Sequence, residues 1–215
     1  MNFLKNINWK RLLILLFLLT LFTFISAISY VTAVSEDIEN SVFRLHVIAN
    51  SDSIEDQNLK LKVRNELLSY MNILSKNCST KEDVVNLAKE HQENFKKIAE
   101  NTIKDNGFDY TVNISIGKSS FPTKTYGDIT LPAGTYDALR VQIGEAKGKN
   151  WWCVMFPPLC FIDVSTGIIP DESKQEMKKN LNDEEYDLIS KNHDNEIHFK
   201  FKLIEFFQNL KLGQN

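Results

Sequence analysis

The chain has 215 residues, of which 43% are apolar and 25% are charged, and its formal net charge is −3. This composition excludes a collagen, a low-complexity polymer and a wholly disordered chain. The sequence has no basic surplus and no repeat of fixed period, so it predicts no nucleic-acid partner. Lys5, Lys10 and Arg11 are the only charged residues before residue 36, which leaves 22 of the 25 basic and all 28 acidic residues, a net charge of −6, in residues 36–215.

The N-terminal region has the pattern of an export segment. The three cations precede an apolar run from Leu12 to Ile25 in which only two threonines are polar. Small residues follow, and the order of positive, apolar and small residues is that of a secretory signal, with cleavage predicted between Ala33 and Val34. The alternative is an uncleaved membrane anchor, since the 23 residues from Leu12 to Val34 could cross a hydrocarbon core of about 30 Å at about 1.5 Å per residue. Either interpretation keeps Lys10 and Arg11 in the cytoplasm and exports the rest.

The first half of the remaining chain predicts one strand and two helices. Alternating apolar residues predict a strand over residues 42–49, and Ser53 with Asp56 resembles a capping box at the start of a helix. Leu59, Val63, Leu67, Met71 and Leu74 form the apolar stripe of that helix. Ser79 with Glu82 marks the start of a second helix, and Asn106-Gly107 marks its end.

The second half predicts strands. Period-two alternation covers residues 108–116 and 136–143, and residues 150–156 form another extended segment. We therefore predict an α+β fold, a largely antiparallel sheet with two helices packed on one face. The export segment would cover residues 1–33 and the α+β domain residues 34–169. Residues 170–215 would form a charged C-terminal appendage, with exposed helices over 171–190 followed by a strand over 197–203.

The three cysteines are Cys78, Cys153 and Cys160. In an exported domain, the close pair Cys153 and Cys160 is a disulfide candidate, provided that Pro157-Pro158 bends the chain between them. The alternative is that both are small buried hydrophobic residues in adjacent strands. The role of Cys78 cannot be predicted from the sequence.

An enzymatic function has little support in the sequence. An envelope cysteine hydrolase would use Cys153 as nucleophile, His46 as base, and Asp52 or Asp163 to orient the histidine. No hydrolase, zinc-protease, phosphate-loop or dinucleotide motif is present, and a histidine within a strand is more often structural. The four histidines are too widely spaced to predict a metal site, and no cofactor is predicted.

The segment Trp151–Phe161 is the most unusual part of the chain. Alternation places Trp151 and Trp152 on opposite faces of a strand, so both cannot occupy a one-sided core. Tryptophans and a rigid proline pair suit a surface that binds a partner. The alternative is that both tryptophans are covered, one by the helices and one by the C-terminal tail.

The stretches Phe43–Leu68 and Phe121–Asp163, together with the leader, resemble the stage II sporulation protein R family of endospore-forming bacteria. This resemblance implies a non-enzymatic signalling protein that is exported from the forespore into the space between the forespore and mother-cell membranes. There it would activate a membrane-embedded aspartic protease of the mother-cell septal membrane, which then processes the precursor of the mother-cell sigma factor E. A further alternative is a purely structural component of the sporulation septum.

The resemblance gives no map of the contact with the protease. Positions inside the motifs are therefore carried over only as candidates for partner binding. They are Arg44, His46, Asn50, Asp52, Trp151, Trp152, Pro157 and Pro158.

Overall fold

The computed structural model describes residues 9–159, 169 and 171–190. In chain order, its helices and strands are α1 (Trp9–Ser41), β1 (Phe43–Ile48), α2 (Ile54–Leu74), a short 3-10 helix (Ser75–Asn77), α3 (Lys81–Glu90), α4 (Gln92–Asp105), β2 (Val112–Phe121), β3 (Lys124–Tyr126), β4 (Ile129–Leu131), β5 (Gly134–Ile143), β6 (Asn150–Phe156), α5 (Asp171–Asn180) and α6 (Asp183–Ile189). The α+β prediction is confirmed.

Helix α1 connects the apolar N-terminal run directly to the folded domain. Of the described helices, it alone is long and apolar enough to cross a membrane, a property that it would share with a signal sequence. Its apolar side chains from Leu13 to Ile25 are largely exposed, whereas Val34 and Ile38 near its end are buried. Gly134 of β5 has no Cβ, which leaves room for the side chain of Glu39 on α1. The helix therefore carries both the apolar N-terminal run and part of the domain core.

The predicted start of α2 is confirmed, and the second predicted helix is divided in two. The Ser53 side chain accepts a hydrogen bond from the Asp56 N–H at 3.2 Å, and Leu59, Val63, Leu67 and Met71 are buried. The segment predicted as one helix is interrupted at His91, where α3 ends and α4 begins. Asn106 and Gly107 end α4 as predicted, and Gly107 has the positive φ of 81° that glycine tolerates.

The main sheet has the strand order β2-β5-β1-β6. Strand β5 pairs antiparallel with β2, and β6 pairs antiparallel with β1, whereas β1 and β5 are parallel. The sheet is thus largely antiparallel, as predicted. Strands β3 and β4 form a separate two-stranded ladder.

Two apolar clusters cover the two faces of the sheet. Helices α2, α3 and α4 pack on one face and bury Phe43, Leu45 and Val47 of β1. The second cluster joins the end of α1, the β3–β4 hairpin, and helices α5 and α6. All six residues of β1 are buried. Arg44 and His46 therefore lie beneath the second layer rather than on an open polar face.

Helices α5 and α6 confirm the helical prediction for residues 171–190. Their apolar side chains are not exposed, because Met177, Leu181, Tyr186 and Ile189 are buried in the second cluster. The strand predicted over 197–203 lies outside the described residues.

Candidate functional site

The predicted partner-binding residues are distributed over four regions, of which Pro157 and Pro158 after β6 form one. Arg44, His46 and Trp152 share the face of the sheet that carries the second cluster. Trp151 lies on the helix-covered face, where it packs against the first cluster. Asn50 and Asp52 lie in the loop between β1 and α2. The two tryptophans thus occupy opposite faces, as the alternation predicted.

Arg44 is completely buried within a group of aromatic rings. Its guanidinium carbon lies 4.1 Å from the ring centroid of Phe121 and 4.6 Å from that of Tyr136, both within the range of cation–π attraction. One nitrogen, Nη2, donates a hydrogen bond of 2.7 Å to the Tyr126 hydroxyl. Nε and Nη1 are buried and have no hydrogen-bond partner among the described residues. Arg44 thus contributes a buried cation that aromatic rings and the hydrogen bond to Tyr126 stabilise.

The tyrosines around Arg44 are held in their protonated form. Burial raises the pKa of both Tyr126 and Tyr136, and the nearby positive charge of Arg44 opposes this shift without cancelling it. The Tyr136 hydroxyl donates a 2.7 Å hydrogen bond to the Pro132 carbonyl oxygen. These neutral tyrosines give Arg44 aromatic faces and one acceptor, but no counter-charge.

His46 lies two residues after Arg44 in β1, and its ring stacks on that of Trp152. Their ring centroids are 3.7 Å apart with an angle of 20° between the planes. Nε2 of the imidazole is 2.8 Å from Oδ1 of Asn150, whereas Nδ1 is buried and has no partner in the part of the chain that the structure describes. Burial lowers the pKa of His46, the hydrogen bond that its imidazole donates to Asn150 partly opposes this, and the charge of Arg140 lowers it further. His46 is therefore a neutral, positioned side chain near neutral pH.

A row of side chains extends from His46 across the whole sheet. In the strand registers, Trp152 is opposite His46, His46 is opposite Arg140, and Arg140 is opposite Ser115. Arg140 is half-buried, and no described residue forms a hydrogen bond with its Nε. A cavity of about 180 Å³ adjoins this end of the row. It is lined by Ser115, Ile116, Gly117, Lys118, Ser119, Ala138 and Arg140.

Sequence reasoning missed Arg140 and the aromatic residues around Arg44. The predicted strand over 136–143 had Leu139, Val141 and Ile143 on one side, which places Tyr136, Ala138 and Arg140 on the other. That alternation was a usable signal for Arg140. The three aromatic rings come from β2, β3 and β5, so their meeting depends on tertiary packing that periodicity does not report.

Trp151 interacts with helix α2. The guanidinium carbon of Arg64 lies 4.1 Å from the centroid of the Trp151 ring, and the indole Nε1 is buried without a hydrogen-bond partner. Trp151 is thus partly covered by the helix layer, while half-buried Trp152 contacts His46 and Phe121 on the other face. Their contribution to partner binding stays a prediction.

Asn50 and Asp52 connect the β1–α2 loop to the β5–β6 loop. Oδ1 of Asn50 accepts a hydrogen bond from the Glu145 N–H at 3.0 Å, and Oδ1 of Asp52 accepts one from the Lys149 N–H at 2.6 Å. Nδ2 of Asn50 also donates to buried Asp56 at 2.8 Å. Both side chains therefore stabilise the molecule itself, and no contact described here tests whether they also bind a partner.

The geometry does not support a Cys153–His46 catalytic pair. Cys153 is opposite Leu45 in the β1–β6 register and belongs to the helix-side cluster, whereas His46 points to the other face. Cys153 is also disulfide-bonded, so it carries no free thiolate to act as a nucleophile. Cys160 and Asp163 lie outside the described residues, and the pairing of Cys153 with Cys160 stays a prediction. Cys78 is free.

The remaining predicted positions are the proline pair after β6 and the cleavage site in α1. Pro157 is buried and follows a cis peptide bond from Phe156, and Pro158 is half-buried. Ala33 and Val34, the predicted cleavage site, lie within helix α1. Among the described residues, no group of three or more His, Cys, Asp or Glu side chains could hold a metal ion.

Comparison with known proteins now identifies the family. The family described as Stage II sporulation protein R matches residues 39–166. The chain belongs to this family. Stage II sporulation protein R of Bacillus subtilis (strain 168) is 37% identical over 144 residues, which cover 66% of this chain and 64% of that relative. The chain thus aligns with slightly less than two thirds of the relative's length. No solved structure matches the chain.

The matched range contains every predicted partner-binding residue of this stage II sporulation protein R family member. It also contains the aromatic residues around Arg44 and the row from Trp152 to Ser115. It begins at Glu39 near the end of α1 and stops before α5. The sheet, its helix layer and the β3–β4 hairpin therefore form the part of the molecule that the family match covers.

Proposed function

We propose that this protein is an exported sporulation signal that binds and activates a membrane-embedded aspartic protease of the mother-cell septal membrane. The activated protease would process the precursor of the mother-cell sigma factor E. The protein acts from the space between the forespore and mother-cell membranes. Membership of the stage II sporulation protein R family supports a role in sporulation, and the partner and the processing step are our proposal.

The observation that carries the proposal is the continuity of α1. The same helix contains the apolar run and, without a linker, the buried residues Val34 and Ile38 of the domain core. If the leader is retained, this continuity holds the folded domain directly against the exported surface of the membrane. If the leader is cleaved after Ala33, Val34 and the following two turns still complete the core. Both forms present a folded domain to a membrane-embedded partner.

The proposed mechanism is binding rather than chemistry. The residues considered for a hydrolase, Cys153 and His46, lie on opposite faces of the sheet, and Cys153 is in a disulfide. A ligand activates a protease by binding its active arrangement more tightly than its inactive one. A preference of about 100-fold would correspond to about 2.7 kcal/mol of coupling free energy.

The test is cleavage of the sigma-factor precursor in a non-sporulating bacterial host that produces the protease, the precursor and the full chain. We expect cleavage only when all three are present and the protease has its catalytic aspartates. Cys153→Ser distinguishes a structural disulfide from a catalytic nucleophile. If Cys153 has only a structural role, a variant that still folds should still activate the protease. No cleavage with a folded chain and a competent protease would overturn direct activation and favour a structural role in the septum.

A further inference from the structure

We infer that the cavity beside Arg140 receives an acidic side chain from an extended segment of the partner protein. The inference rests on the proposed function for the identity of that partner, the membrane protease. It assigns the binding surface to β2 and β5, outside the residues that the sequence motifs suggested. Four observations support it.

The first observation is the small-residue floor of the cavity. Gly117 and Ala138 are directly opposite each other in the β2–β5 register, and Ser115 and Ser119 flank Gly117 on the same face of β2. Within the described part of the chain, a Cβ added to Gly117 would meet no atom within 4 Å. The depression is therefore open space above the sheet, large enough for one side chain of a partner.

The second observation is the unsatisfied charge of Arg140. No described acidic residue forms an ion pair with it, and its Nε is buried without a hydrogen-bond partner. A guanidinium presents a fork of N–H donors that matches a carboxylate, and a buried unpaired donor is unfavourable until such an acceptor arrives.

The third observation is the charge of the lining. Among the described residues that line the cavity, Arg140 and Lys118 are charged and none is acidic. Lys118 alternates with Gly117 onto the helix-covered face, where it shares Asp137 with Lys81 at 3.3 Å, so the uncompensated charge at the cavity is that of Arg140. A cationic depression on a domain with a net negative charge favours an acidic ligand.

The fourth observation is the sheet edge. Strand β2 is ten residues long and lies at one end of the strand order, so within the described part of the chain it has a strand neighbour on one side only. The Gln92 side chain donates to one of its carbonyls, that of Ile114. An extended partner segment can pair with the rest of such an edge, and its alternate side chains then stand over the face that holds the cavity.

The experiment uses the full chain, the protease and the precursor in the cleavage assay, together with co-purification of the protease on the tagged full chain. Gly117→Val adds side-chain volume to the depression at a position where a Cβ has room, and valine suits a strand, so we expect the variant to fold. Arg140→Glu reverses the charge. We expect each variant to reduce cleavage and co-purification at least about tenfold.

Two matched controls separate the cavity from general effects. Ser120→Val makes the same kind of change at an exposed β2 position that does not line the cavity. Lys97→Glu reverses an exposed charge on the helix layer. Both controls should retain wild-type cleavage. A protease variant in which an extracytoplasmic acidic residue becomes lysine, and which restores activation by Arg140→Glu, would identify the carboxylate.

Full activation by folded Gly117→Val would overturn the inference while leaving the proposed function intact. Failure of the wild-type chain itself would overturn the proposed function and remove the partner named here. Self-association of the wild-type chain that Gly117→Val abolishes would show that a second copy occupies the cavity, which also contradicts the inference.

Discussion

The imidazole of His46 stacks on the indole of Trp152 with ring centroids 3.7 Å apart. The contact joins the inner strand β1 to the outer strand β6 on the face opposite the disulfide-bonded Cys153. It makes His46 part of an aromatic packing arrangement and separates it from the only nucleophile that the sequence offered as its partner.

The burial of His46 makes stability depend on pH. Burial lowers its folded-state pKa below the unfolded value of about 6.5. The unfolded chain therefore binds more protons below that pH, and stability falls by up to about 1.4 kcal/mol per pH unit. We expect the thermal midpoint of the purified chain to drop between pH 7.5 and 5.5, and to drop less in His46→Gln. His91→Gln, on the helix layer, is the control, and equal pH dependence of His46→Gln and wild type would contradict this prediction.

Arg44 is a buried cation that aromatic rings surround. Its replacement compares the cation–π attraction with the cost of desolvating the guanidinium. Arg44→Ala removes a fully buried side chain and should cost about 2–4 kcal/mol. Arg44→Met fills similar space with no charge to desolvate, so its free energy of unfolding should lie within about 1 kcal/mol of wild type or above it. Urea unfolding of the three proteins measures this. A loss for Arg44→Met as large as that for Arg44→Ala would show that the cation–π contacts outweigh the desolvation of the guanidinium.

Lys81 and Asp137 form an ion pair that anchors the start of α3 to β5. Burial alone would raise the pKa of Asp137, but hydrogen bonding and charge from Lys81, with a contribution from Lys118, hold it below its usual value. The stabilisation is therefore present above about pH 4 and lost as the pH falls through the lowered pKa. Asp137→Asn leaves the Lys81 ammonium buried without a counter-charge and should cost about 3 kcal/mol at pH 7.

The contribution of this pair is measured by urea unfolding at pH 7 and at pH 3. The destabilisation by Asp137→Asn should shrink at the lower pH. Lys118→Gln removes the more exposed partner and should cost less than 1 kcal/mol, within the range of about 0–1 kcal/mol for surface pairs. A larger loss for Lys118→Gln than for Asp137→Asn would contradict the assignment of Lys81 as the main partner.

Gly148 allows close approach of the two loops that Asn50 and Asp52 connect. A Cβ at Gly148 would overlap the backbone carbonyl of Ser51. Gly148→Ala should therefore destabilise the fold by about 1–3 kcal/mol, whereas Gly117→Ala, whose Cβ enters open space, should not. Thermal unfolding of both variants is the comparison, and equal stability would show that the loops separate at little cost.

The sequence predicted those elements whose local signals agree with their packing. Ser53 caps α2, and the stripe from Leu59 to Met71 faces the core, because capping and periodicity both act within one helix. The division at His91 was not predicted, since the apolar stripe continues from Val84 through Phe95 across it. The Tyr70 hydroxyl, 2.7 Å from Nδ1 of His91, marks a tertiary contact at this junction that no local pattern contains.

The candidate site was predictable only in part. Arg44 and His46 alternate with apolar residues, which indicates one buried and one solvent-exposed face, yet both faces of β1 are buried. The second layer is built from α1, the β3–β4 hairpin, α5 and α6, which are far apart in sequence, so a local pattern could not show that they converge on Arg44. The opposite faces of Trp151 and Trp152 were predictable because they follow from strand geometry alone.

The central claim is direct contact between this chain and the membrane protease, and the most direct measurement is their affinity in the absence of precursor. Purified full chain would be titrated into purified protease in detergent and complex formation followed by a binding signal. We expect a saturable complex. Its dissociation constant should be no higher than the chain concentration that gives half-maximal cleavage. Stimulated cleavage without a detectable complex at any accessible concentration would contradict the account and require an intermediary between the two proteins.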